Sequence, residues 1–456
     1  MLHGSRNKGQ REPVDKKAIT EEAVNDDETV IFDAHSALNI ALFPVLFFFS
    51  ALFYTDVMST LAVLLSYGTY LRRSSAVGST FDNLSAVVIG VVALFFRQTN
   101  IFWVAVFPAG LTVIDVLKRH EPVSKSSREK DVTGKLRESW DEGTIYDCPV
   151  QEAGTQDYAL FLASLAIAAL RNLLLVIRAA IPYVVLLALF GAFVAWNGSV
   201  VLGDKSAHTA TIHLPMMLYV FAYIAFFSAP LLVGVLLQPF VPLLPKQLRK
   251  LYSEYLYTTS KASLPGLLVS TVAILGAMAA VHFNTIIHPY TLGDNRHYVF
   301  YVFKMLRQDP ATKYLAVLAY YLCAWATIQT LGSSGIGAGA TEPKRNARPT
   351  SGKAAYQPRQ ISFIIVWLAT TALSLITTPL VEPRYFIIPW IIWRLHVPYT
   401  PASLSKDRTP GKASYDIRLV LETVWLLAIN AAVTHMFLYK GFAWAGEPGN
   451  VQRFIW

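Results

Sequence analysis

The residues able to do chemistry fall in five short stretches separated by long apolar runs. They are Tyr54-Thr55-Asp56, Arg97-Gln98-Thr99-Asn100, Gly203-Asp204-Lys205-Ser206 with His208 and His213, His288-Pro289-Tyr290 running into Asp294-Asn295-Arg296-His297-Tyr298, and Glu382-Pro383-Arg384-Tyr385. The guanidinium forks of Arg97, Arg296 and Arg384 match the geometry of a phosphate. Asp294, Asn295, Arg296 and His297 beside Tyr298 and Tyr301 mix donors, acceptors and rings in a way that suits sugar hydroxyls and anions, with His288 a further phosphate partner. Each stretch also has a plainer reading. Arg97 to Asn100 could cap a helix and present a solvated tip. The 288–301 segment could be an interfacial loop anchored by tyrosines. Glu382 and Arg384 could be an ion pair closing a helix. Asp56 could be a helix cap instead of a catalytic carboxylate. Asp204 and His208, four apart, with His213 could hold a divalent ion or hydrogen-bond one another. No GxxxxGK[ST], HExxH or GxSxG signature occurs, so soluble nucleotide-driven chemistry gains no support, and nothing points to nucleic acid.

The elements that must position these residues are apolar. Of 456 residues 54% are hydrophobic and only 15% charged, against roughly a quarter charged in soluble domains. About 20 apolar helical residues cross a bilayer core, and runs of suitable character lie near 37–53, 55–71, 84–96, 101–117, 181–197, 213–237, 264–283, 314–332, 360–378, 385–396 and 417–439. The expectation is an all-α polytopic membrane protein with about 11–12 transmembrane helices. The stretch Tyr158–Ala179, with Arg171 and Arg178 seven apart, reads as a helix lying in the interface. If the runs alternate direction, one set of loops carries 23 Lys and Arg against about nine opposite, which makes the richer side cytosolic. All five polar stretches then fall on the other side. Ionisable residues at membrane depth cost about 2.5–3.5 kcal/mol on insertion scales, and such residues usually line a shared cavity. Residues 1–36 read as a disordered cytosolic tail, and 37–456 as one membrane domain with flexible cytosolic connectors at 118–157 and 333–359. Cys148 and Cys323 form no Cys-x-x-Cys spacing, and Asn197-Gly198-Ser199 is an acceptor pattern on the non-cytosolic side.

Taken in order, Ala41-Leu42-Phe43-Pro44 through Tyr54-Thr55-Asp56, Phe96-Arg97-Gln98-Thr99-Asn100-Ile101, Asn197-Gly198 through Gly203-Asp204-Lys205-Ser206-Ala207-His208, Asp294-Asn295-Arg296-His297-Tyr298, Arg384-Tyr385-Phe386-Ile387-Ile388-Pro389 and the closing Gln452-Arg453-Phe454-Ile455-Trp456 resemble one family. It is the endoplasmic-reticulum dolichyl-phosphate-glucose-dependent alpha-1,2-glucosyltransferases. The resemblance implies a glycosyltransferase of the C superfamily that moves glucose from dolichyl phosphate glucose to the diglucosylated dolichol-linked oligosaccharide with inversion. It implies substrate binding by Arg97, Gln98, Asn100, Asp204, His208, His288, Asn295, Arg296, His297, Tyr298, Glu382, Arg384 and Tyr385. Inversion by in-line displacement calls for a carboxylate base and for cations at the leaving phosphate. The family's further N-terminal spans and acidic first luminal loop have no counterpart in Met1 to Phe32, so the chain is expected to be truncated at its N-terminus or a non-catalytic membrane subunit. Asp56 and Asp294 are the remaining carboxylates for the base. A transporter or scramblase is the rival class, since ionisable residues among many spans also describe a substrate pathway.

Overall fold

A computed structural model describes residues 30–73, 79–120, 131–200, 211–256, 264–332, 359–378, 380–399, 415–443 and 448–456. The fold is all-α. Helix α1 (Val30–Ala41) and α2 (Pro44–Ser50) meet at a 64° bend. Pro44 opens α2, since a proline at the first turn is pre-set for helix but cannot donate back to the preceding one. Next come α3 (Asp56–Arg72) and α4 (Thr80–Phe96), the latter opened by a capping box between Ser79 and Asp82. A 3-10 turn (Gln98–Asn100) and a π-helical segment (Phe102–Val106) lead into α5 (Phe107–Arg119). Then follow α6 (Val132–Glu142), α7 (Thr155–Arg171) and α8 (Leu173–Asn197). Helices α9 (Met216–Phe227) and α10 (Ala229–Leu237) bend by 98° about Ser228, with Pro230 opening the second. The chain continues through α11 (Lys246–Leu251), α12 (Leu267–Asn284), α13 (Pro289–Gly293), α14 (Tyr298–Leu306), α15 (Thr312–Gly332), α16 (Ile361–Leu375), α17 (Ile387–Leu395) and α18 (Ile417–Tyr439). A two-residue hairpin pairs Phe442–Ala443 with Val451–Gln452.

Among the described residues five helices are long and apolar enough to cross a membrane, or seven if each bent pair is one span. The multi-span all-α expectation therefore holds, whereas the count of 11–12 exceeds what length supports. Helices α3 and α4 have 17 residues, α16 has 15 and α17 only 9. At 1.5 Å per residue these reach about 25, 22 and 13 Å against a hydrocarbon core of about 30 Å. Helix α17 needs no such length, because protein surrounds it: Ile387 and Pro389 through Arg394 are all buried. In contrast, α12 turns Leu267, Leu268, Val272 and Leu275 outward, as lipid-facing surface would.

Three further expectations change. Helix α1 begins at Val30, so a disordered tail reaching residue 36 is too long; residues 1–29 lie outside the described residues. Tyr158–Ala179 is not one interfacial helix. The helix breaks at Asn172, whose side chain donates to Ala168 O, so Arg171 ends α7 while Arg178 belongs to the 25-residue α8. Residues 131–157 are no loose connector either. Helix α6 packs on α7, Lys118 pairs with Asp147 at 2.5 Å, and Val150 N and Ile361 N exchange bonds with Arg359 O and Cys148 O. The connector at 333–359 lies outside the described residues except Arg359.

The centre is aromatic. Trp390 of α17 stacks on Phe43 with centroids 3.9 Å apart and donates to Ser228 Oγ at 2.9 Å, so one indole braces both helix bends. At the far end of α17, Arg394 donates to Glu422 of α18 through Nε and Nη2, both at 2.7 Å, and both side chains are at most 2% exposed. Asn39 of α1 donates to the same carboxylate.

Breaking a buried pair leaves one charge stranded. Arg394→Met is expected to cost about 3–5 kcal/mol of stability, and Arg394→Met with Glu422→Met to recover most of it. Unfolding of the detergent-solubilised variants in a double-mutant cycle measures this; equal losses in single and double variants would refute it.

Candidate active site

Helix ends deliver the first polar group. Asp56 starts α3 and is 2% exposed; Arg97 stands where α4 stops; Arg384 lies in the 3-10 turn (Pro383–Phe386) leading into α17. Arg97 Nη2 meets Asp56 Oδ1 at 2.7 Å, Arg384 Nη1 lies 3.9 Å from Asp56 Oδ2, and Arg384 also pairs with Glu382. Rings cover the guanidiniums: Arg97 lies 5.8 Å from the Tyr385 centroid, and Arg384 5.4 and 5.1 Å from those of Phe49 and Tyr54. Asn100 sits beneath, donating to Ala93 O at 2.8 Å and to Ser59 Oγ at 2.9 Å. The Ala93 carbonyl also takes the Arg97 N–H, so Asn100 braces the last turn of α4 from beneath.

The second group is a loop closed by the C-terminal segment. Asp294 accepts from Arg296 Nε at 2.9 and 3.1 Å, from Nη2 at 2.7 Å and from the Arg296 backbone at 3.0 Å. These donated hydrogen bonds hold the Asp294 carboxyl below its ordinary value, against a smaller opposing effect of burial. Arg296 Nη1 reaches Gln452 Oε1 at 3.0 Å, Ile455 N donates to Arg296 O at 2.9 Å, and His297 Nδ1 lies 2.8 Å from Trp456 O.

A run of ring contacts joins the two groups: Phe386 to Tyr223 (5.1 Å), Tyr223 to Phe227 (4.7 Å), Phe227 to Trp456 (5.6 Å) and Trp456 to Tyr298 (5.0 Å). Along it Asp56 Oδ2, Tyr223 OH, Tyr298 OH and Trp456 Nε1 are buried without a hydrogen-bond partner among the described residues. Buried polar atoms ordinarily find partners, so four such atoms on one lane suit a ligand that supplies hydroxyls or phosphate oxygens.

The structure thus unites Asp56, Arg97, Glu382, Arg384 and Tyr385, and separately Asp294, Arg296, His297 and Tyr298, with the five polar stretches' described parts at one end of the helices. Gln98 and Asn295 are half-buried members of the same two turns. His288 lies between α12 and α13, its carbonyl accepting from Thr291 N. Asp204 and His208 lie outside the described residues; His213 is buried edge-on to Tyr219, with its backbone donating to Ile376 O. Among the described residues no cluster of three His, Cys, Asp or Glu could hold a metal. As for the base, Asp56, Asp294 and Glu382 each hold an arginine, so none stands as a free carboxylate. Ser59 and Tyr223 were not singled out beforehand. Tyr223 lies within an apolar run where aromatics are unremarkable, and only its phenol oxygen marks it.

Comparison with known proteins gives a consistent set. A family profile described as the DIE2/ALG10 family matches residues 11–395. The chain is 40% identical to proteins of Aspergillus fumigatus and Emericella nidulans named Dol-P-Glc:Glc(2)Man(9)GlcNAc(2)-PP-Dol alpha-1,2-glucosyltransferase, covering 93% of this chain and 78% of each relative. It is 30% identical to the Mus musculus protein of the same name, over 92% of this chain and 72% of the relative. No solved structure matches.

The Asp294 pair generates a pH prediction. A carboxylate whose folded value is depressed adds stability above its unfolded value, near 3.9, and loses it as pH falls through the folded one. The stability difference between wild type and Asp294→Asn should therefore be constant from pH 7 to about pH 5 and vanish on acidification below about pH 4. Its size should be at most about 1 kcal/mol, since the pair is partly solvated. Thermal unfolding across pH measures it, and a difference that grows in acid would contradict the assignment.

Proposed function

Because the chain belongs to the DIE2/ALG10 family, we propose that it is an inverting hexosyltransferase of the endoplasmic-reticulum membrane. It transfers glucose from dolichyl phosphate glucose to the diglucosylated dolichol-linked oligosaccharide, forming the terminal alpha-1,2 linkage. The observation that carries the site assignment is the fixing of Arg97 and Arg384 on buried Asp56, beside a lane of buried polar atoms without partners.

In this reading the acceptor 2-hydroxyl attacks the glucosyl anomeric carbon as the bond to the phosphate oxygen breaks. The hydroxyl proton passes to a base, and the electron pair leaves with dolichyl phosphate. Charge grows on the leaving phosphate, and cations already in place stabilise it without reorganising. Arg97, Arg296, His297 and Arg384 take that role, while Asp56 and Asp294 position the arginines. Tyr298, Tyr385 and Trp456 give the faces on which sugar rings stack, and Glu382, Asn295 and Gln98 address hydroxyls. The polar groups gather at one end of the helix bundle, and the opposite end of α17 is closed by the Arg394–Glu422 pair. That arrangement suits a one-sided enzyme site, and in this reading it faces the lumen.

Proteoliposomes holding the full chain, dolichyl phosphate glucose and the diglucosylated acceptor test the reading. Wild type should make the triglucosylated product. Arg97→Ala and Arg384→Ala should each lower kcat by about 10²–10³, the range for losing one transition-state donor (about 2.7–4 kcal/mol). Wild-type rates in both variants would remove the arginines from the site, and absence of product from wild type would remove the activity.

A further inference from the structure

One buried side chain beside Asp56 has no task in the transfer. Asn100 is 1% exposed, as is Ser59 against it. A side-chain amide has two N–H donors, and here both are taken: Nδ2 donates to Ser59 Oγ at 2.9 Å and to Ala93 O at 2.8 Å, while the Ser59 hydroxyl lies 3.3 Å from Oδ1. A group that binds sugar or phosphate must turn an open donor or acceptor toward it. Asn100 turns its amide into the α3–α4 pair instead, so its part in the site runs through its neighbours.

Those neighbours are the backbone of Arg97 and the first turn of α3. Arg97 leaves α4 in an extended conformation, φ −153° and ψ 130°. Its backbone is tied twice: the N–H donates to Ala93 O at 3.2 Å, and the carbonyl accepts from Asn100 N at 3.1 Å. Ala93 O is the same carbonyl that the Asn100 side chain holds. Ser59 follows Asp56 by three positions on α3, which sets the two one above the other on one face. The bonds therefore close a circuit. Asp56 takes the Arg97 guanidinium at 2.7 Å, α3 links Asp56 to Ser59, Ser59 meets the Asn100 amide, and Asn100 fixes the backbone from which Arg97 extends. An ion pair at the tip of a long side chain leaves its base free to shift, and the last turn of a helix frays when its end is untied.

We propose that Asn100 is a positioning residue for Arg97. By joining Ser59 to Ala93 O it fixes the end of α4 against the start of α3, and so sets where the Arg97 guanidinium meets the leaving phosphate, without touching either substrate. The proposal rests on the glucosyl-transfer reading, in which Arg97 is a cation at that phosphate, and it replaces the substrate-binding role that the family resemblance implies for Asn100. A misplacement of about 1 Å at a reacting centre costs on the order of 10² in rate. The loss falls on kcat, since no contact to a substrate is removed.

Proteoliposomes holding the full chain, dolichyl phosphate glucose and the diglucosylated acceptor test this with Asn100→Ala and Ser59→Ala, each alone and each combined with Arg97→Ala. Rates are referred to the folded protein recovered by size-exclusion chromatography. Asn100→Ala should lower kcat about 10- to 100-fold, with KM for both lipids within about threefold of wild type. Ser59→Ala, a smaller truncation that keeps the bond to Ala93 O, should lower kcat less in the same manner, and it carries the test if Asn100→Ala does not fold. In the Arg97→Ala background either change should alter kcat by less than about twofold, because the group being positioned is gone. An undiminished loss in that background, as a merely structural asparagine would give, would overturn the proposal and leave the glucosyl-transfer reading standing. So would a KM raised about tenfold for either lipid, or a wild-type kcat in Asn100→Ala or Ser59→Ala. Wild-type rates in Arg97→Ala alone would instead remove the site assignment on which the proposal rests.

Discussion

The carboxylate of Asp56 is the constraint on which the polar end of the molecule depends. It is buried and touches arginines from two other parts of the chain, Arg97 at the end of α4 and Arg384 ahead of α17. Two guanidiniums brought together at membrane depth would repel and pay a desolvation penalty in full; Asp56 and Glu382 make the four charges sum to zero. The neutral frame still leaves donors. Each guanidinium has five N–H groups, and the contacts to Asp56 and Glu382 engage only some of them. The same ion pairs that stabilise the helix ends therefore leave cationic donors fixed in direction, which is the state in which they help a reaction most.

Helix α17 transmits that order through the protein. The 3-10 turn leading into it carries Arg384 and Tyr385 with Glu382 as its cap, its middle carries Trp390, and its last turn carries Arg394. Trp390 braces the bends at Phe43 and Ser228, so the irregular backbone of α1–α2 and α9–α10 is covered by protein. Arg394 ties the far end to α18 and, through Glu422, to Asn39 of α1. A nine-residue helix too short to span is thus the axis against which longer helices are set. Its length follows from its burial: with protein on every side it has no hydrocarbon thickness to match.

What could be read from the sequence follows from which signals are local. Apolar runs, and the expectation that the polar stretches share one end, rest on composition and alternation, and the ion pair Arg97–Asp56 joins two of those stretches. The pairing itself could not be read. Asp56 and Arg97 are 41 residues apart, and nothing near either names its partner. Span number is less legible than fold class for a related reason: run length does not tell a helix facing lipid, such as α12, from one enclosed by protein, such as α17. Glu422 was a missed signal of the readable kind, an ionisable residue inside the apolar run 417–439, which by itself predicts a buried partner. The break at Asn172 was not readable from periodicity, because the flanking residues on both sides continue an apolar pattern, while at the break the Asn172 side chain bonds to Ala168 O.

The two halves of the site differ in how they are held, and this difference bears on how substrates enter. The Asp56 half is built from ends of packed helices, with Asp56 itself 2% exposed and its arginines 18% and 23%. The Asp294 half is a loop whose charged groups keep 20–37% exposure and whose anchors, Gln452, Ile455 and Trp456, come from the C-terminal segment. A donor lipid and a large branched acceptor must both reach a site that afterwards excludes water. A rigid charge frame on one wall sets the reacting geometry, and a loop tied by a few solvent-accessible hydrogen bonds on the other wall can part at low cost. Because Trp456 packs on both Phe227 and Tyr298, opening of that loop would uncover the aromatic lane leading to Tyr223 and Asp56.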